Sequence, residues 1–148
     1  AGYSDITFID AMTDHLDEDQ VREAIRRVQP DLVGCTAITP AIYKAERLLQ
    51  VAKEVSTDIV TVLGGIHGTF MYPQVLKEAP WIDCVVRGEG EQIFLNLVAA
   101  IDQGRWPEDR NTIRGIAYAE ADGTVVATPS EKPIADLDKI LPDWSILD

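Results

Sequence analysis

Short apolar runs alternating with stretches of helical period constrain this chain more than any other feature of its sequence. Ile6 to Ile9, Leu32 to Ile38, Ile59 to Leu63 and Asp83 to Val86 are β-rich or continuously apolar, with proline, glycine or acidic residues between them. Strands of a buried sheet read this way. Between them the period changes. Val21, Ala24, Ile25 and Val28 fall at i, i+3, i+4 and i+7, and Asp17 with Gln20 supplies a capping box ahead of them. Thr39-Pro40 offers an N-cap and a first-turn proline to a helix reaching Ser56, Pro73 opens a short helix through Ala79, and Ile93 to Ile101 carries a helix that Gly104 ends.

Strand and helix in alternation predict an α/β fold: a doubly wound, Rossmann- or flavodoxin-like parallel sheet covered on both faces and joined by right-handed crossovers. After Gly104 the pattern shifts. Ile116 to Ala119, the turn Asp122-Gly123 and Val125 to Ala127 predict a β-hairpin. We therefore expect an α/β ligand-binding domain over 1–104, a hairpin appendage over 105–128 and a connector over 129–148 that leads to a further domain. The start is unusual. Ala1-Gly2-Tyr3 reads as the end of a helix with Gly2 at its C-cap, so the domain is expected to lack its first strand, and Ile6–Ile9 to slide over and pair with Leu32–Ile38.

Composition narrows the function. With 148 residues, 46% of them hydrophobic, the chain can bury one ordinary core. A net charge of −12 argues against nucleic acid or anionic membrane as a partner. No run is long and apolar enough to span a bilayer and Ala1 to Asp5 carries no signal-peptide pattern, so the expected location is cytoplasmic. Cys35 and Cys84 lie inside strand-like runs and read as buried thiols.

Ligands of such sheets bind beyond the carboxyl ends of the strands. Three successive strand ends here carry glycine, hydroxyl or small residues: Thr36-Ala37-Ile38-Thr39, Gly64-Gly65-Ile66-His67 and Arg87-Gly88-Glu89-Gly90. Turn chemistry accounts for any one of them. Together they point to a rim where a ligand approaches backbone. Neither G-x-x-x-x-G-K-[ST] nor G-x-G-x-x-G follows a strand, and Glu89 and Glu91 stand where a phosphate would sit. A bulky flat or elongated ligand fits better.

Asp31 to Pro40, Gly64 to Thr69 and Arg87 to Glu91, in this order and spacing, resemble the three motifs of cobalamin-binding domains in radical S-adenosylmethionine enzymes. The resemblance spans nearly the whole chain. Phe8 to Met12, Ile38 to Glu46, His67 to Met71 and Pro142-Asp143-Trp144 look most like the branch of oxidative cyclases that closes the isocyclic ring on a magnesium porphyrin ester. Cobalamin-dependent methyltransferases are the alternative branch. The resemblance implies that Thr36, Ala37, Ile38 and Thr39 line a groove for the cobalamin nucleotide tail and that Gly64 and Gly65 let the tail pass against the sheet. Ile66 and His67 would adjoin the cofactor, and Arg87, Gly88, Glu89 and Gly90 would flank the corrin. A valine at Gly65 is then expected to block the groove without unfolding the chain.

The resemblance also has gaps. The D-x-H-x-x-G motif that ligates cobalt in related domains is missing, and His15 in Asp14-His15-Leu16-Asp17 reads as a loop residue. His67 has two readings, a hydrogen bond to the cofactor or a turn histidine satisfied by backbone. Weak binding with no protein histidine on cobalt is expected. No C-x-x-x-C-x-x-C triad is present, so the [4Fe-4S] cluster, S-adenosylmethionine and the porphyrin substrate are assigned by resemblance to a downstream domain. Two other classes stay open: a receiver-like module, for which Asp10 is a lone acid, and a docking module that uses the tail from Pro129.

Overall fold

The structure is a computed structural model that describes residues 3, 5–11 and 13–136. The Gly2 helix end, Met12, and the connector from Leu137 through Pro142-Asp143-Trp144 lie outside the described residues. The first helix, α1 (Glu18–Val28), starts as its sequence dictates. The Asp17 carboxylate accepts the Gln20 amide at 2.9 Å, and the Gln20 side chain accepts the Asp17 amide at 2.9 Å. It ends where Gln29 turns left-handed at φ 50°.

Beyond α1 the order is β1 (Leu32–Thr36), α2 (Ile42–Val55), β2 (Val60–Gly64), α3 (Gly65–Glu78), β3 (Cys84–Val86), α4 (Gly90–Asp102), β4 (Ile116–Ala119) and β5 (Val125–Ala127). The five strands pair in sequence order. β1, β2 and β3 are parallel, while β4 runs antiparallel to β3 and β5 antiparallel to β4. The sheet is therefore mixed. The hairpin expected beside it continues it, because β4 supplies the ladder partners that β3 would otherwise lack on that side.

Helices cover both faces, as expected of a Rossmann-like α/β fold. α2 and α3 pack Ile42, Leu49, Val75 and Leu76 onto Leu63, Val85 and Ala117. On the other face α4 packs Ile93, Leu97 and Ala100 onto Val62, Cys84, Val86 and Ile116. α1 lies against α2 through Val21, Ile25, Val51 and Ala52. An ion-pair lattice staples the two helices: Arg22 reaches Glu54 at 2.7 Å and Glu18 at 2.9 Å, while Arg47 reaches Glu54 at 2.6 Å and also Glu18.

Three expectations fail. Ile6–Ile9 forms no strand and pairs with nothing in the sheet; Ile6 is 60% and Phe8 55% exposed. The outer edge of β1 is open to it, since β1 pairs only with β2 among the described residues, so strand propensity alone does not bring the run onto the sheet. The helix expected to open at Pro73 starts instead at Gly65, directly after β2, with Pro73 in its interior. The paired glycines read as a loop; their role is to make the strand-to-helix turn abrupt. Finally, Thr39 caps no helix. It begins a 3-10 turn over Thr39–Ala41, and α2 follows without a side-chain cap.

Candidate functional site

The carboxyl ends of the three parallel strands are Thr36, Gly64 and Val86, and the turns that follow them form one rim. Thr36 and Gly64 are register partners, as are Gly34 and Val62. Because side chains alternate along a strand, Gly34, Thr36 and Gly64 all face the α4 side of the sheet. That side is covered over β2, β3 and β4 but is open over β1, where Gly34 and Thr36 are exposed. A side-chain carbon at Gly64 would meet nothing closer than the Cys35 carbonyl at 3.9 Å, and one at Gly34 would touch Phe94 at 3.9 Å. The result is a shallow trough with a floor of glycine and threonine and an aromatic wall. Neither Gly34, inside the Leu32 to Ile38 run, nor Phe94, inside the helical stretch from Ile93 to Ile101, is among the site residues that the sequence singles out. Phe94 is 38% exposed. The period-2 alternation of Gly34 with Thr36 was the available signal.

Above the trough stand the turns. Ile38 and Ile66 are exposed, and so is Phe70 one helical turn after Ile66. Thr39 and His67 meet, with the Thr39 hydroxyl 3.1 Å from His67 Nδ1. His67 is thus held through one ring nitrogen by a side-chain hydroxyl rather than by backbone, and it lies in the first turn of α3 rather than in a loop. His15 sits apart, exposed in the turn before α1 with φ 51°.

Other expected residues act on the fold. Ala37 is buried, its amide donates to the Gly64 carbonyl at 3.1 Å, and its carbonyl accepts the His67 amide at 3.3 Å. Gly65 has φ +94°, and a side-chain carbon there would lie 2.6 Å from the Ala37 carbonyl oxygen and 2.8 Å from the Thr36 hydroxyl. Its glycine is required by the chain's own backbone. The expectation that valine at this position would block a groove and spare the fold is therefore corrected. Gly68 has a related role one turn on: its missing side chain lets α3 approach Val85, whose Cγ1 would be 3.0 Å from a carbon placed there.

At the third strand end Gly88 is exposed with φ +92° and open space where a side chain would be. Its amide donates to the Thr69 hydroxyl at 3.0 Å, and that hydroxyl also donates to the Gly65 carbonyl at 3.0 Å. Thr69 so joins two strand ends. Arg87 lies over the Tyr72 ring at 4.9 Å and donates to the Thr128 carbonyl at 2.5 Å. Glu89 precedes Gly90, the first residue of α4, and accepts the Ile134 amide at 2.7 Å. Both side chains reach the segment leaving β5.

The thiols carry no reactive character. Cys84 is fully buried and its pKa is raised by desolvation; Cys35 is pushed up to about 11 by the same cause. A wide cavity of about 950 Å³ opens at the opposite ends of the strands, near Asp31, Lys53, Asp83 and Arg110. Two of its cations are paired: Lys53 with Asp83 at 2.7 Å and Arg110 with Glu120, and the Asp83 carboxylate also accepts the Thr61 amide at 2.8 Å. No described helix is long and apolar enough to cross a membrane.

Rossmann-like sheets take ligands beyond the carboxyl ends of their strands, which is where this chain carries its small residues. A family model described as "B12 binding domain" matches residues 1–98, and the chain belongs to that family. It is 74% identical to anaerobic magnesium-protoporphyrin IX monomethyl ester cyclase of Rubrivivax gelatinosus over 99% of this chain and 26% of that protein. It is 50% identical to the enzyme of the same name from Cereibacter sphaeroides, over 99% of this chain and 24% of that protein. An uncharacterised methyltransferase of Pyrococcus horikoshii is 36% identical over 97% of this chain and 30% of its own length. The chain thus spans about a quarter of the length of these two curated cyclases. The cobalamin-dependent S-adenosylmethionine radical enzyme OxsB, solved with aqua-cobalamin and S-adenosylmethionine bound, superposes with a TM-score of 0.65 at 18% identity. That match covers 78% of this chain and 16% of OxsB, and it is a likeness of fold.

Proposed function

We propose that the chain holds cobalamin against the trough of Gly34, Thr36 and Gly64, as the cofactor domain of a cytoplasmic radical S-adenosylmethionine oxidative cyclase acting on magnesium-protoporphyrin IX monomethyl ester. The observation that carries this reading is the 74% identity to the Rubrivivax cyclase along 99% of the chain. The fit of the rim to the cofactor rests on space: a glycine floor that a side-chain carbon would fill, beside exposed Ile38, Ile66 and Phe94.

Each residue then has a part. Gly34, Gly64 and Thr36 let an elongated ligand arm lie on the sheet, and Phe94 flanks it. Ile38 and Ile66 present apolar surface to a macrocycle, and Thr39 orients His67 toward a ligand amide or phosphate. Ala37, Gly65 and Thr69 fix the shape of the rim, and Gly88 and Gly90 keep its third turn low. Cobalamin supplies cobalt-centred chemistry, whereas the chain contributes binding and orientation. The [4Fe-4S] cluster, S-adenosylmethionine and the porphyrin belong in this reading to the part of the parent protein downstream of residue 148.

The methyltransferase branch is the second reading, favoured only by the 36% identity to the Pyrococcus protein. A chimera separates the two. When this chain replaces the matching quarter of the Rubrivivax cyclase, ring closure on the porphyrin ester should persist, whereas the Pyrococcus segment in the same position should not support it. A folded, cobalamin-loaded chimera with this chain and no cyclase activity would count against the cyclase.

A further inference from the structure

Residues 128–134 leave β5 with the Thr128 amide still donating to the Ile116 carbonyl at 2.9 Å, and four further contacts fasten their backbone. The Thr128 carbonyl accepts from Arg87 at 2.5 Å, the Pro129 carbonyl from the Gly115 amide at 2.9 Å, and the Ser130 carbonyl from Arg114 at 2.6 Å. The fourth point is the Ile134 amide on Glu89 at 2.7 Å. Pro129 and Pro133 have no amide hydrogen to offer and stiffen the segment. Ile134 is the first residue after Pro133 able to donate, and Glu89 meets it.

Glu89 has another task available and does not perform it. It occupies the N-cap of α4, where a side-chain oxygen ordinarily accepts an amide of the first turn, and it makes no such bond. Its carboxylate instead accepts the Ile134 amide, a charge-assisted bond stronger than one between neutral groups. Arg87 forms the second clamp. Stacked on Tyr72 of α3 and bonded to Thr128, it ties the end of β3 to the end of β5. Between the clamps, Gly88 is pinned to α3 through Thr69.

We propose that Arg87 and Glu89 are positioning residues that strap residues 128–134 to the rim, so that the turn after β3 and the chain leaving β5 open and close as one unit. The proposal rests on the cobalamin reading only in treating that turn as part of the ligand rim. Its consequence is reciprocal: whatever orders the turn also fixes the direction in which the chain departs, and the reverse.

Amide hydrogen exchange on the isotope-labelled chain tests this, with Glu89→Ala and Glu89→Gln as variants. Glu89 is exposed, so both should fold. In Glu89→Ala the amides of Ile134 and Gly88 should both exchange roughly tenfold faster, as expected for loss of a bond to a charged acceptor. Glu89→Gln keeps an acceptor oxygen and should keep most of the protection. Hydroxocobalamin should slow Ile134 in the wild type and slow it less in Glu89→Ala. An unprotected Ile134 in the wild type, or acceleration of Ile134 without Gly88 in Glu89→Ala, would overturn the proposal. A spectral change on adding hydroxocobalamin with no slowing of Ile134 would also overturn it while leaving the cobalamin reading intact. Absence of a spectral change would defeat that reading instead, and the strap would then stand or fall on the two variants.

Discussion

Gly65 lies so close to Ala37 that a side-chain carbon on it would sit 2.6 Å from the Ala37 carbonyl oxygen and 2.8 Å from its amide nitrogen. The contact joins the end of β1 to the start of α3 and explains why the strand-to-helix turn closes without a loop. Alanine at this position meets both a positive φ and an occupied space. Gly65→Ala should therefore cost roughly 2–5 kcal/mol of stability, from backbone strain plus overpacking. Denaturant unfolding measures it. A variant as stable as wild type would show that the turn relaxes freely.

The ion-pair lattice between α1 and α2 predicts a pH dependence of opposite sign to that of Glu46. Hydrogen bonds from Arg47 hold the Glu18 and Glu54 carboxyls below the ordinary 4.5. A depressed folded value means the contribution is complete above 4.5 and is lost as pH falls below it. Exchange protection of the Val21 and Ile25 amides should drop in that range, and Arg47→Ala should lower it roughly threefold at neutral pH, less in high salt. Glu46, 7% exposed, is raised above 4.5 by burial and then by Glu78. Its ionised form is the unfavourable one, so Glu46→Gln should stabilise the chain at pH 7 and lose that advantage in acid. Thermal melts at the two pH values decide it.

Much of this fold is legible in the sequence where local and tertiary demands agree. The Asp17–Gln20 capping box, the apolar period of α1, the three parallel strands and the Asp122-Gly123 turn all sit where their patterns place them. The failures share a cause. Ile6–Ile9 has strand propensity yet does not take up the open edge of β1, and the hairpin's place in the sheet depends on β3 needing a partner. Both are long-range facts. The rim was visible as glycines and hydroxyls, but their division of labour was not. That Gly64 is open while Gly65 is filled depends on where Ala37 lies, and a two-letter repeat does not encode it.

His67 and His15 lead to a spectroscopic prediction. His67 is bonded to Thr39 at 3.1 Å and His15 lies in an exposed turn away from the motif that would present it. The Thr39 hydroxyl on Nδ1 is the kind of partner that orients a ligating histidine, so what speaks against either histidine on cobalt is that neither lies in a D-x-H-x-x-G motif. Electron paramagnetic resonance of the chain with cobalt(II) cobalamin should show no splitting from a protein imidazole nitrogen. Splitting that disappears in His67→Ala would place that histidine on cobalt.

Titration of hydroxocobalamin into the wild-type chain and into Gly64→Val, followed by visible absorption, tests the central claim most directly. A side-chain carbon at Gly64 would meet only the Cys35 carbonyl, at the ordinary contact distance of 3.9 Å, and φ −116° is an allowed value, so Gly64→Val should fold at a cost of about 1 kcal/mol or less. Its branched carbons would stand on the floor of the trough. The account predicts a saturable spectral change with the wild type and at least about tenfold weaker binding by the variant. Equal binding by the two folded proteins, or no spectral change with either, would contradict it.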